Sequence, residues 1–255
     1  MANNNSRTRG SGQNRSGVRS DVWASDRAGI DEGLRAYMLR VYNLMALGVA
    51  VTAISTLVVM NSPVLLGLIV GTPLIWVLFA GVLGLGWFAP RLILSGSVAK
   101  AHAAYWTYSM VWGLLIAPMV FSFFQVGAGD LVFRAFLVTA VTFGGASLYG
   151  YVTKRDLSGM ATFFTMAIIG LLVAIVVNML VFQSSLFSLI TSSLVVLVFS
   201  GVTAWETQKI KKSYFAGDSA RAATGKAVFG AFILFGSFIT IFIHLLSIFG
   251  MMRNN

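Results

Sequence analysis

Seven long apolar runs, separated by short segments marked by charge, glycine or proline, set the pattern of this chain. They cover residues 41–60, 72–89, 103–124, 131–151, 160–182, 186–204 and 227–250. About 20 apolar residues at 1.5 Å each cross a ~30 Å hydrocarbon core, so each run is predicted to be a transmembrane helix. The connections are short, which makes consecutive helices antiparallel neighbours and leaves no room for a soluble domain. The second run is the least sharply marked at its start, because Pro63 and Pro73 flank a separate short apolar piece at 64–70. Ahead of the first run, Ile30, Leu34, Met38 and Val41 recur at about one helical turn, the pattern of a short helix leading into the membrane. Residues 1–27 are rich in Asn, Ser, Gly and Arg, and are expected to form a disordered, basic cytoplasmic tail. No apolar stretch of signal-peptide type follows their arginines. The expected organisation is this tail followed by a seven-helix transmembrane domain over residues 28–252: an all-α, polytopic membrane protein.

The last run differs from the others. Ser237, Thr240, His244 and Ser247 fall at i, i+3, i+7 and i+10, one face of a helix. A lipid-facing helix has no use for a polar stripe, so this face is expected to meet protein or water inside a bundle.

Composition agrees with the pattern. Of 255 residues, 57% are hydrophobic and 10% charged, and the mean hydropathy is +0.84. There is no cysteine, which excludes disulfides, thiolate catalysis and cysteine-ligated metals. The net charge of +10 reads as membrane topology, not nucleic-acid binding, because no aromatic–basic module accompanies it. Sixteen of the eighteen Lys and Arg residues fall in the tail and in alternate loops; Arg134 and Arg253 are on the other side. That split predicts a cytoplasmic N-terminus, an external C-terminus, and an odd number of spans.

Motifs for chemistry are sparse. Gly127-Ala128-Gly129-Asp130 matches a string found in intramembrane aspartic proteases, but no second aspartate lies within a predicted span. His102 and His244 sit in different spans with no metal-ligand spacing. No enzyme activity and no cofactor are expected. Gly144, Gly145 and Gly170 are expected to be points of close helix packing.

Three stretches together carry a resemblance: GGASLYGYVTKRDLSGMATFF (144–164), GVTAWETQKIKK (201–212) and the final helix. With GLRAYMLRVYNLM (33–45) leading into the first helix, they resemble the Bax inhibitor-1 family, its bacterial branch in particular. The resemblance implies six helices surrounding a central seventh, in a bacterial inner (plasma) membrane. It implies a pH-sensitive calcium leak governed by two aspartates that share a proton, with an arginine of the second helix nearby. Some bacterial relatives are linked to a membrane-bound protease, which makes a non-conducting regulator of such a protease the alternative function.

Residue by residue, the sixth-helix aspartate falls on Glu206, and the seventh-helix aspartate, aligned through Gly230-Ala231 and Leu234, falls on Ser237. Thr240 stands where an asparagine is usual. The chain keeps one carboxylate of the pair and lacks the carboxylate–carboxylate repulsion of its relatives. Glu206 is then either a group on an ion path or a solvated acid at a helix end. His244, about 10 Å from Ser237 along the helix, is either a second titrating group or a neutral histidine bonded to a neighbouring helix. Arg91 is the candidate for the second-helix arginine, or an anchor to headgroups. Lys154, Arg155 and Asp156 form the charged family turn, read as structural or regulatory. Oxygen ligands suit calcium, and with only one charged, a weakly selective path is expected.

Overall fold

The computed structural model describes the backbone of residues 15–253 and the side chains of residues 32–253. Residues 1–14 of the expected tail lie outside the described residues, and of residues 15–27 only the backbone, helical, is described. The chain forms α1 (Arg15–Met60), α2 (Pro63–Gly71), α3 (Leu74–Ile93), α4 (Val98–Gln125), α5 (Gly129–Val152), α6 (Ala161–Val177), α7 (Ser185–Lys212) and α8 (Ala220–Arg253). There is no strand among the described residues. Seven helical segments are long and apolar enough to cross a membrane, and the chain is a multi-pass membrane protein.

The ambiguous piece near residue 64 is the short helix α2, separate from the spans. Pro63 occupies its first turn, where the missing N–H costs nothing, and Ser62 caps it by accepting from the Leu65 N–H at 3.3 Å. At the far end of α6 the helix widens into a five-residue π turn, Asn178–Phe182, and Gln183 follows at φ 47°. The buried Asn178 side chain closes this hairpin. Its Oδ1 accepts from the Ser184 N–H at 3.1 Å, and its Nδ2 donates to Ser188 Oγ at 2.7 Å.

α8 is the central helix. Half of its most apolar window is buried, against at most 33% in any other span. It packs against α1, α3, α4, α5 and α7. The fifth span does not join this ring: α6 packs on α7, and none of its Cα atoms comes within 8 Å of α8. The physical reason is in its composition. α6 with its flanking turns is the most apolar span, with a mean hydropathy of 2.6, and can face lipid nearly all round. The arrangement is therefore five helices around one, with a sixth outside.

Lipid tails are as apolar as leucine, so helices in a bilayer associate through close backbone approach and hydrogen bonds. Both occur between α1 and α4. Thr52 and Thr56 donate to the carbonyls of Ser109 and Gly113 at 2.8 and 3.0 Å, and Tyr105 donates to the Leu44 carbonyl at 2.9 Å. Between α5 and α7, Gly150 lies directly against the Ala204 carbonyl, with no space for a Cβ. The glycines expected to be packing points are not: Gly144, Gly145 and Gly170 have open space where a side chain would stand. Packing is made by Gly113 and Gly150 instead, because those glycines face a neighbouring backbone.

The two kinds of glycine should respond oppositely to the same substitution. Gly150→Ala forces α5 from α7 and is expected to cost about 1–3 kcal/mol. Gly145→Ala, in open space, is expected to be neutral or to gain up to ~1 kcal/mol from helix propensity. Thermal unfolding in detergent measures both, and equal effects would refute this assignment of packing points.

Candidate functional site at the basic end of α7

The last turns of α7 read Trp205-Glu206-Thr207-Gln208-Lys209. Successive helical residues point about 100° apart, so consecutive polar side chains reach different neighbours. Glu206 faces α8, Thr207 faces α5, Gln208 faces the turn after α5, and Lys209 is exposed.

Glu206 is half-buried, and its Oε2 accepts a hydrogen bond from the buried Ser237 Oγ at 2.6 Å. The two positions singled out by the sequence are thus brought together. A cavity of about 230 Å³ adjoins them, lined by Glu206, Lys209, Lys226, Phe229, Gly230 and Ile233. Its cations are already engaged. Lys226 Nζ donates to Asp218 at 2.6 Å and to the Ser213 carbonyl at 3.0 Å, while Lys209 Nζ lies 5.2 Å from the centre of the Trp205 ring. The cavity thus brings together one carboxyl group, one hydroxyl donor and two flanking ammonium groups. Among the described residues no group of three or more His, Cys, Asp or Glu could hold a metal ion.

The rest of the polar stripe on α8 divides. Thr240 donates to its own helix, to the Gly236 carbonyl at 2.9 Å. His244 reaches across to α7, with Nδ1 3.2 Å from Ser192 Oγ. Ser247 lines a separate cavity at the other end of the bundle, near Arg253. Arg91 is not at the site. It is exposed near the end of α3 and forms no ion pair among the described residues, although Ile93 two residues on is buried and its carbonyl lies beside Gly225 of α8. Two residues along a helix is about 200° round it, which turns Arg91 away from the bundle when Ile93 faces inward. The cations beside Glu206 are Lys209 and Lys226.

The charged turn is bound to α7 by a residue the sequence reading passed over. Gln208 uses both halves of its amide: Oε1 accepts from the Leu157 N–H at 2.9 Å, and Nε2 donates to the Arg155 carbonyl at 2.8 Å. Lys211 donates to the Tyr151 carbonyl at 2.7 Å, and Lys212 pairs with Asp156 at 2.6 Å. Lys212 and the Ser158 N–H together hold the Asp156 carboxyl down at about 2. Lys154 and Arg155 present their side chains to solvent, so the turn's role in the fold runs through its backbone. A second unforeseen feature is a chain of hydroxyls. Tyr42 on α1 bonds Ser147 on α5 at 2.6 Å, and Ser147 bonds the fully buried Thr207 on α7 at 2.9 Å. Gln208 and Thr207 directly follow Glu206, so a helical-wheel reading of that run would have raised both. Ser192 and Tyr42 carry no comparable signal.

The family model described as "Inhibitor of apoptosis-promoting Bax1" matches residues 34–254. The chain is 37% identical to an uncharacterized protein of Caulobacter vibrioides, over 89% of this chain and 93% of that one. It is 34% identical to the inner membrane protein YbhL of Escherichia coli, over 92% of this chain and 98% of that protein. A third relative, the uncharacterized protein RP147 of Rickettsia prowazekii, is 33% identical over 88% and 93%.

Two measurements test the α7 clamp. Gln208→Ala leaves the buried Leu157 N–H without a partner and is expected to destabilise by about 2–3 kcal/mol. Gln208→Glu keeps the acceptor and should cost less. Hydrogen exchange at the Leu157 amide should quicken in the first variant and not in the second. The Asp156–Lys212 tie has a lowered folded pKa, so its contribution is present above the ordinary carboxylate range and fades only as pH falls toward 2. Asp156→Asn should therefore leave any response between pH 5 and 8 unchanged, as read by pH-dependent unfolding.

Proposed function

This chain belongs to the Bax inhibitor-1 family of integral membrane proteins, and from that premise we propose that it is a cation leak whose path follows α8, with Glu206 at the cytoplasmic mouth. The observation that carries the proposal is the lone carboxylate in the α7–α8 cavity, held by Ser237 on the central helix. The basic ends of the helices are taken as cytoplasmic, from the distribution of Lys and Arg, and the membrane as a bacterial inner membrane, by similarity to YbhL. The Glu206–Ser237 bond is a latch. It satisfies the carboxylate from within the protein, and a cation must compete with it for that charge. Calcium takes oxygen ligands, and a single charged oxygen donor with two ammonium groups beside it makes for weak selectivity. No enzymatic step is part of the proposal.

A second reading is supported by the packing further along α8. Phe235, Ile241 and Leu246 are fully buried, and His244 is bonded to α7. A helix packed this tightly suits a non-conducting regulator of a membrane protease or other membrane machinery, working through its basic surface and its first 27 residues.

Flux of calcium into dye-loaded liposomes, between pH 5 and 8, separates the two. The leak predicts flux above empty vesicles, lost in Glu206→Gln and raised about tenfold or more in Ser237→Ala, the scale of one hydrogen bond to a charged group. Ser237→Asp, which sets two acids side by side, should change the pH dependence of the flux relative to the native chain. Absence of flux at every pH removes the leak. Loss of function on deleting residues 1–27, with no change in flux, favours the regulator.

A further inference from the structure

A lateral seam separates α1 from α5. Around α8, α1 packs on α4 and α5 packs on α7, yet no Cα of the described part of α1 lies within 8 Å of α5. The two helices nevertheless turn matching faces toward each other. Arg35, Met38, Leu39 and Tyr42 on α1 recur at i, i+3, i+4 and i+7, and Gly144, Ser147, Leu148 and Tyr151 on α5 repeat the same spacing, with Phe143 beside them. Between them, at the basic end, lies a groove of about 560 Å³. That volume falls within the roughly 300–1,000 Å³ of small-ligand sites.

The groove has the two-part chemistry of an amphiphile. Its walls are apolar for most of its length. Gly144 keeps it open: a Cβ there would meet nothing within 4 Å, so this glycine serves no helix contact. At its basic end stands Arg35, exposed and without an ion-pair partner among the described residues. A second cation is close, since Lys211 Nζ lies 4.7 Å from the centre of the Tyr151 ring that lines the groove. No acidic side chain lines it. Tyr42 and Tyr151 place aromatic rings with polar tips along it, the side chains suited to the headgroup boundary.

We infer that this groove is a binding site for an anionic phospholipid of the leaflet on the basic side, with one acyl chain between α1 and α5 and the phosphate at Arg35. An arginine fork matches a phosphate better than a point charge does. A zwitterionic lipid offers the same phosphate, but its amine opposes the local positive field. The occupied site lies one hydroxyl bridge, Tyr42–Ser147–Thr207, from the residue that follows Glu206.

Native mass spectrometry of the full-length protein, released from detergent with equal phosphatidylglycerol and phosphatidylethanolamine, tests the site. The native chain should retain one phosphatidylglycerol with about a tenfold preference. Arg35→Gln should reduce retention to the level of phosphatidylethanolamine, and Gly144→Leu should lower retention of both lipids by filling the groove. Arg91→Gln, an exposed cation on another face, should leave retention unchanged. Arg35 is exposed and Gly144 faces open space, so both variants should melt as the native chain does. No preference in the native chain, full preference in Arg35→Gln, full retention in Gly144→Leu, or equal loss in Arg91→Gln each overturns the inference.

Discussion

Hydrocarbon offers a polar group nothing to bond to, and that single constraint decides how α7 is used. Every polar side chain that α7 carries below the headgroup level has to find a protein partner, because leaving it unmet costs more than any packing nearby returns. Ser192 meets His244, Glu206 meets Ser237, Thr207 meets Ser147, and Gln208 meets the backbone of the turn at Arg155 and Leu157. These four pairings fasten α7 to α8, to α5 and to the approach of α6. The position of α6 follows from them: with almost no polar side chain to satisfy, it needs only α7's flank and the clamped turn to hold it. α8 can be central because α7 meets its polar side chains and α4 packs aromatic rings on it, Tyr105 against Phe235 and Tyr108 against Phe232.

The candidate site is best seen as a departure from a paired-acid design. The carboxyl group of Glu206 has a serine hydroxyl beside it, not a competing acid, at 2.6 Å. The cavity outside it carries two ammonium groups, both engaged in other contacts. Electrostatically this mouth is balanced and not strongly acidic, which is a poor concentrator of divalent cations. Both readings of function, a weak leak and a silent regulator, are consistent with that balance for the same reason.

The spans were legible because seven runs of apolar residues admit few other structures, and the central position of α8 was legible because its polar stripe excludes lipid on that face. Glu206 and Ser237 were singled out by resemblance to a family, which left open whether they meet; the structure brings them within 2.6 Å. What stayed hidden depended on rotation and depth. Gly144 and Gly150 belong to the same helix and the same quoted motif, yet one faces a carbonyl and the other faces open space. Nothing in the local sequence separates them without knowing which way α5 is turned. Arg91 was placed by its distance along the chain, whereas its direction around α3 decides what it reaches. Gln208 was overlooked because an uncharged side chain in a charged run draws no attention, although its amide is suited to bonding a turn's N–H and C=O together. The independent position of α6 needed a comparison of how apolar each run is, not merely whether it is apolar.

The gap between α1 and α5 also has a mechanical meaning. It partitions the bundle into two bodies, α1 to α4 on one side and α5 to α7 on the other, each internally fastened by glycine contacts and threonine or serine bonds. α8 runs between them as a shared axle. The direct lacing between the bodies is concentrated at the basic end, where Tyr42 meets Ser147 and Tyr37 meets Ser213 at 3.2 Å. At the opposite end the bodies are joined by the turn between α4 and α5, to which α8 is tied by Arg253, whose guanidinium reaches the Val126 carbonyl at 2.8 Å. Displacing one body against the other would leave the contacts within each intact, but it would have to break the Tyr42–Ser147 and Tyr37–Ser213 bonds and shift packing that both bodies make on α8. The Glu206–Ser237 bond lies on the boundary between one of these bodies and the shared helix.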